Sequence, residues 1–168
     1  MRPILTAAAA ALLLGSAAFV LVSGSSRPAT AHDDNGAHDE DSYSAGEPGD
    51  PTKPARIVHI TMREADGKML FDPNRIEVHQ GEQIHFIIQN SGTVEHEFML
   101  ASVEDNDKHA ELMRKYPQME HDDPNAKSLA PNKTDEIFWK FSKLGEFEFA
   151  CLIPGHREAG MRGTIVVK

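Results

Sequence analysis

The chain has 168 residues, a formal net charge of −9, 26% charged and 40% hydrophobic residues, and one cysteine. An acidic chain with no basic stripe is a poor partner for nucleic acid or an anionic membrane surface, and a lone cysteine excludes an internal disulfide. The length suits one domain with a tail, and the charge suits the capture of cations.

At the N-terminus, Arg2 precedes an apolar run from Ala7 to Val22, followed by small and polar residues that end in Ala29-Thr30-Ala31. This is the layout of a secretory signal over residues 1–31 with an Ala-x-Ala cleavage site. The competing reading is an uncleaved anchor facing the periplasm, because Ile4 to Val22 is just long enough to span a bilayer. Residues 32–55 are rich in Asp, Glu, Gly, Ser and Pro with almost no aliphatic residue. Such a segment buries too little apolar surface to offset its ordering entropy, so a disordered acidic linker is expected there, with the folded domain at 56–168. His32 and His38 lie in this tail. If cleavage follows Ala31, His32 would offer its α-amino group and imidazole together as a chelate.

From Arg56 onward the signals are those of short strands: Arg56 to Met62, Arg75 to His79, Gln83 to Gln89, His96 to Ala101, Thr134 to Phe141, Glu146 to Leu152 and Gly163 to Lys168. Ile76-Glu77-Val78 and Glu146-Phe147-Glu148-Phe149 alternate, so one face of each strand is expected to be buried and the other wet. Gly67, Pro73, Gly81, Gly92, Pro131 and Gly145 punctuate the runs. Several short antiparallel strands of this kind predict an all-β Greek-key sandwich or barrel. Glu104 to Lys115 breaks the pattern with good helix formers and is stopped by Pro117, which predicts a helical insertion within about 104–132, then a loop through Asn132.

The chemistry concentrates in Cys151-Leu-Ile-Pro-Gly-His156-Arg-Glu-Ala-Gly-Met161. A lone thiol in an exported chain is buried, reactive or bound to something. Taken alone, Cys151 reads as a small buried hydrophobe. With an imidazole and a thioether following within ten residues, it reads as part of the soft donor set that copper selects. Cys151 ends an apolar strand and His156 lies across the Pro154-Gly155 turn, so both can aim at one point, while Met161 approaches from just before the last strand. A trigonal site needs a second imidazole. His96, after the Asn90-Ser-Gly-Thr turn, is placed for it, whereas His59, His79 and His85 lie within strands. Trp139 and the phenylalanines read as core. In the insertion, His109 and Met113 are spaced to share a helix face, and Met119 and His121 stand nearby. They read either as an exposed polar insertion or as a second, softer Cu(I) site.

Phe71-Asp-Pro-Asn-Arg-Ile76-Glu-Val78-His-Gln-Gly81-Glu-Gln-Ile84-His-Phe86 and Asn90-Ser-Gly-Thr-Val-Glu-His96-Glu-Phe98 resemble the early strands and first ligand loop of the cupredoxins, the type 1 copper proteins such as azurin, plastocyanin and auracyanin. Cys151-x4-His156-x4-Met161 is similar to the azurin and auracyanin ligand loop, and the resemblance covers about residues 56–168. The acidic His-containing tail and Tyr116-Pro-Gln-Met119-Glu-His121-Asp-Asp-Pro resemble periplasmic cupredoxins of bacterial copper-tolerance loci. The resemblance implies one type 1 copper, with His96, Cys151 and His156 as equatorial ligands and Met161 as the axial one. It also implies a non-enzymatic monomer that binds copper or passes electrons to a redox partner such as a periplasmic oxidase. Ala150 and Leu152 flank Cys151, so the flanking histidines of catalytic copper oxidases are missing. Glu95 before His96 and the lack of a cysteine pair depart from azurin. Two other readings stand beside copper tolerance: a respiratory or photosynthetic electron carrier, and a metal-free sandwich used as an interaction module.

Overall fold

The computed structural model describes residues 43–116 and 123–168. The expected signal, His32, His38, Met119 and His121 lie outside the described residues. In chain order the elements are β1 (Glu47–Pro48), β2 (Arg56–Ala65), β3 (Lys68–Asp72), β4 (Arg75–Val78), β5 (Gln83–Asn90), β6 (His96–Ala101), α1 (Val103–Lys115), β7 (Ala126–Leu129), β8 (Thr134–Lys140), β9 (Gly145–Ala150) and β10 (Arg162–Val167). They form two five-stranded sheets, one ordered β1-β8-β5-β2-β3 and the other β4-β10-β9-β6-β7.

The alternating residues of these strands meet in one core between the sheets. Ile60, Met62, Ile84, Phe86, Ile88, Ile137 and Trp139 come from the first sheet, and Phe98, Leu100, Phe147, Phe149 and Ile165 from the second. Phe98 and Phe149 stack with ring centroids 5.3 Å apart, and Phe71 meets Phe149 edge-on at 5.1 Å. Aromatic pairs in these geometries add to the stabilisation from buried area alone.

Four features differ from the sequence expectation. Pairing is not antiparallel throughout: β2 runs parallel to β5, and β4 parallel to β10, because the chain crosses to the other sheet between these partners. A strand, β3, follows the Asp66-Gly67 turn and pairs with β2. The expected loop through Asn132 contains β7, which pairs with β6 from His96↔Leu129 to Met99↔Ala126.

The fourth difference corrects the linker. Its second half, from Tyr43, docks on the first sheet: β1 pairs with β8, the Trp139 indole N–H donates to the Ala45 carbonyl at 3.3 Å, and Tyr43 meets Trp139 edge-on at 5.2 Å. Gly46 sits at φ +137°, and a Cβ there would collide with the Lys140 carbonyl, so the close approach requires glycine. Polar composition hid this because the segment contributes few apolar residues of its own and instead covers Trp139, which is fully buried.

The helical insertion is present. Ser102 caps α1 by accepting from the Asp105 N–H at 3.1 Å, with Glu104 and Asp105 in the first turn and Arg114 and Lys115 in the last. Those charges complement the helix dipole. The helix covers the outer face of β6 and β9. Met113 packs there with Met99, Ala126, Ala150 and Leu152, which explains why β6 is buried on both faces instead of one.

Candidate metal centre

Strand register brings the candidate residues together at one end of the second sheet. β6 and β9 are antiparallel neighbours with Met99 opposite Ala150, so the start of β6 lies beside the residues that follow β9. Alternation along β9 turns Phe147 and Phe149 into the core, and Cys151 continues that inward face. β10 pairs Arg162 with Ala150, which sets Met161 opposite Cys151, and the Cys151 N–H donates to the Met161 carbonyl at 3.1 Å.

Between them the chain makes a compact loop. His156 N–H donates to Ile153 O at 3.0 Å, and Met161 N–H donates to His156 O at 3.1 Å. The Met69 N–H of β3 donates to Ala159 O at 3.2 Å and ties the loop to the first sheet. On the other side Arg157 donates to Asp107 Oδ1 of α1 at 2.5 Å and to Glu148 Oε2 of β9 at 2.7 Å. The residue after His156 is thereby fastened to the insertion.

One ligand atom each from His96, Cys151 and His156 lies within 4.8 Å of the others, and among the described residues these three form the group of histidine, cysteine and acidic side chains able to hold one ion. His96 Nδ1 is 3.3 Å from His156 Nδ1, and Cys151 Sγ is 3.3 Å from the same atom. His96 and Cys151 are fully buried, while His156 is partly exposed. Met161 is fully buried in the same cluster as Cys151.

The protein environment of each donor is distinct. Burial pushes the Cys151 thiol up to about 12, with the Glu97 and Glu95 charges adding to the rise, against the backbone N–H groups of Glu97 and Ile153 that favour the thiolate. The Glu97 N–H lies 3.3 Å from Sγ. His156 is held below the usual imidazole value, first by desolvation and then by His96, so it is neutral at pH 7.

Glu64, near the end of β2, reaches across from the first sheet and meets His96 Nε2 at 2.6 Å. Desolvation pushes its carboxyl up, but the Thr93 N–H, His96 and the Thr93 hydroxyl outweigh that and hold it below the ordinary carboxylate value. Glu97 is buried, and its Oε2 accepts the Leu152 N–H at 3.0 Å, linking β6 to the residues that follow β9. Glu64 carries no signal in the sequence: it is one of many carboxylates near strand ends. The remaining histidines stand elsewhere. His85 meets Glu136 at 2.7 Å and stacks on Phe138, His59 and His79 are exposed, and His109 lies on α1, where its neighbour Met113 is committed to packing.

One thiol, two imidazoles and a buried thioether residue beside them fit copper, because soft sulfur with imidazole in a three-donor cluster is the copper-selecting set. Backbone N–H groups aimed at the sulfur would share the charge of a thiolate, which a metal ligand must be.

A family model described as copper binding proteins, plastocyanin/azurin family, matches residues 58–168. The chain is similar to the copper-resistant cuproprotein CopI of Rubrivivax gelatinosus, 46% identical over 139 residues, covering 83% of this chain and 82% of that protein. It is also similar to the copper-resistant cuproprotein CopI of Vibrio cholerae, 35% identical over 71% of this chain and 70% of that one. Among solved structures, auracyanin B is 20% identical with a TM-score of 0.59, covering 75% of this chain and 98% of that one. A dithionite-reduced auracyanin from Roseiflexus castenholzii, also 20% identical, has a TM-score of 0.56 and covers 69% and 99%. These two likenesses show the cupredoxin fold. The match over residues 58–168 and the CopI relatives establish that the chain belongs to the plastocyanin/azurin family of copper-binding proteins, with copper as its cofactor.

Proposed function

We propose that this protein is exported to the periplasm and serves copper tolerance there as a monomer that holds one copper in a type 1 site and exchanges electrons with a protein partner such as a periplasmic oxidase. The observation that carries the proposal is the convergence of His96, Cys151 and His156 within 4.8 Å at one end of the sandwich. The 46% identity to a protein named a copper-resistant cuproprotein supports the biological setting. His96 Nδ1, Cys151 Sγ and His156 Nδ1 would be the three strong donors, and Met161 would supply a weak fourth.

Bound copper would supply a one-electron couple. The chain's own residues do the rest. Glu97 and Ile153 offer N–H groups to the sulfur, the buried cluster of Phe98, Phe149 and Met161 keeps water out, and the loop bonds among Ile153, His156 and Met161 hold the donors in place. Fixed donors reduce the rearrangement between oxidation states. Of the three clustered side chains His156 is the one that reaches the surface, so its ring would be the route by which electrons reach a bound copper.

Copper loading should give intense visible absorption from thiolate-to-copper charge transfer, which Cys151→Ser abolishes and His96→Ala or His156→Ala destroys in its native form. Met161→Leu should keep the copper but move the band and the potential, because a thioether would be a weak ligand beside a thiolate and two imidazoles. A strain lacking the protein should become copper-sensitive. Unchanged copper sensitivity would shift the reading to a dedicated electron carrier, and no visible band in wild type would remove the type 1 site itself.

A further inference from the structure

The His96 ring has no exposed surface, so its second nitrogen must find its partner inside the protein. That partner is a carboxylate. Glu64 Oε1 lies 2.6 Å from Nε2, and it is seated by the remainder of the turn before His96: the Thr93 N–H donates to Oε2 at 2.8 Å and the Thr93 hydroxyl at 3.2 Å. Gly92 leaves the room. A Cβ there would stand 2.5 Å from Oε1, closer than any side chain tolerates. The contact also joins the two sheets, since Glu64 belongs to β2 and His96 to β6.

We infer that Glu64 is a positioning residue which sets the oxidation-state preference of the copper through His96. The bond to Oε1 fixes the tautomer with hydrogen on Nε2 and so presents the Nδ1 lone pair to the cluster. An anionic acceptor, unlike a neutral carbonyl, also pushes negative charge onto the ring and makes Nδ1 a stronger donor. A carboxylate behind a ligating imidazole raises ligand basicity, and its loss typically costs 10–100-fold in metal affinity. The gain is larger for the doubly charged ion than for the singly charged one, so Glu64 favours Cu(II). The inference rests on His96 being a ligand, as proposed above.

The test compares copper-loaded wild type with Glu64→Gln, Glu95→Gln and Gly92→Ala, reading the visible band and the reduction potential of each. Glu95 is an exposed carboxylate beside His96, so its replacement removes equal charge without touching the ring contact. Glu64→Gln should shift the Cu(II)-to-Cu(I) affinity ratio at least tenfold toward Cu(I), a rise of about 59 mV per tenfold for one electron. Glu95→Gln should move it less. Gly92→Ala keeps every charge while displacing the carboxylate, and should move the potential in the same direction as Glu64→Gln.

A Glu64→Gln shift no larger than that of Glu95→Gln overturns the inference, as does an unmoved potential in Gly92→Ala. Loss of the visible band in all four proteins would instead overturn the assignment of the site. Nitrogen NMR of the metal-free protein reads the contact without copper: wild-type His96 should carry its hydrogen on Nε2, and a mixed tautomer would also overturn the inference.

Discussion

To serve as the proposed copper ligand, Cys151 must give up a proton. Burial pushes its thiol up to about 12, so the metal-free protein at pH 7 holds it protonated, while His156 is already neutral and can offer a ring lone pair without releasing a proton. With the Cys151 thiolate as the proposed ligand, each copper taken up displaces one proton from sulfur, and raising the pH makes that displacement easier. Cu(II) affinity should therefore strengthen about tenfold per pH unit between pH 7 and 9, measured by competition with a chelator of known pH dependence. A flat profile would mean that the sulfur is not the ligand. At this scale the sequence was informative where the donors share one loop: a thiol, an imidazole and a thioether within Cys151 to Met161 leave little other chemistry. That His96 would meet Cys151 and His156 in one cluster was legible from the turn before it. Glu64 was not, because it acts across 32 residues and between two sheets, and nothing in a local pattern marks which strand-end carboxylate will face a buried ring.

The insertion and the N-terminal segment each fasten a part of the sandwich. Arg157 joins α1 to the loop between β9 and β10, and its partner Glu148 is buried, with Asn106 Nδ2 donating to it at 3.0 Å. Removing one member of a buried charged pair leaves the other uncompensated, so Arg157→Ala should cost about 3 kcal/mol in urea denaturation, and Arg157→Ala/Glu148→Gln should recover most of it. A double variant as unstable as the single one would show that the arginine acts by packing alone. Similarly, a chain beginning at Arg56 loses β1 and uncovers Trp139. Compared with one beginning at Tyr43, it should be less stable by on the order of 3 kcal/mol in the same assay. Equal stability would make the segment a passenger. Strands with clear alternation, such as β4 and β5, could be read directly from the sequence. β7 could not, since Ala126-Lys-Ser-Leu129 is too short to show a period, and β1 could not because its Gly, Pro and Asp setting reads as linker. β6 was found, but its second buried face depends on α1 packing against it, which no pattern within the strand encodes.

Over the whole molecule, the clustered side chains able to hold an ion come from β6 (His96) and from the residues that follow β9 (Cys151 and His156), and Glu64, bonded to His96, extends the set to the opposite sheet. Global unfolding separates all of these, so copper bound to the native state alone must stabilise the entire sandwich and not just the loop. At a free copper concentration a thousandfold above the dissociation constant, the added stability is about 4 kcal/mol. Amides in the central strands β5 and β8 exchange only when the whole domain opens, so their hydrogen exchange should slow by about the same thousandfold, even though they lie in the sheet that contributes no direct donor. Amides exchanging by local fraying, as at the Asp66-Gly67 turn, should change little. If copper slowed exchange only from Cys151 to Met161 and left β5 and β8 untouched, the unfolded chain would have to hold copper nearly as well as the native one. That outcome would remove any stabilising role for the folded arrangement of donors.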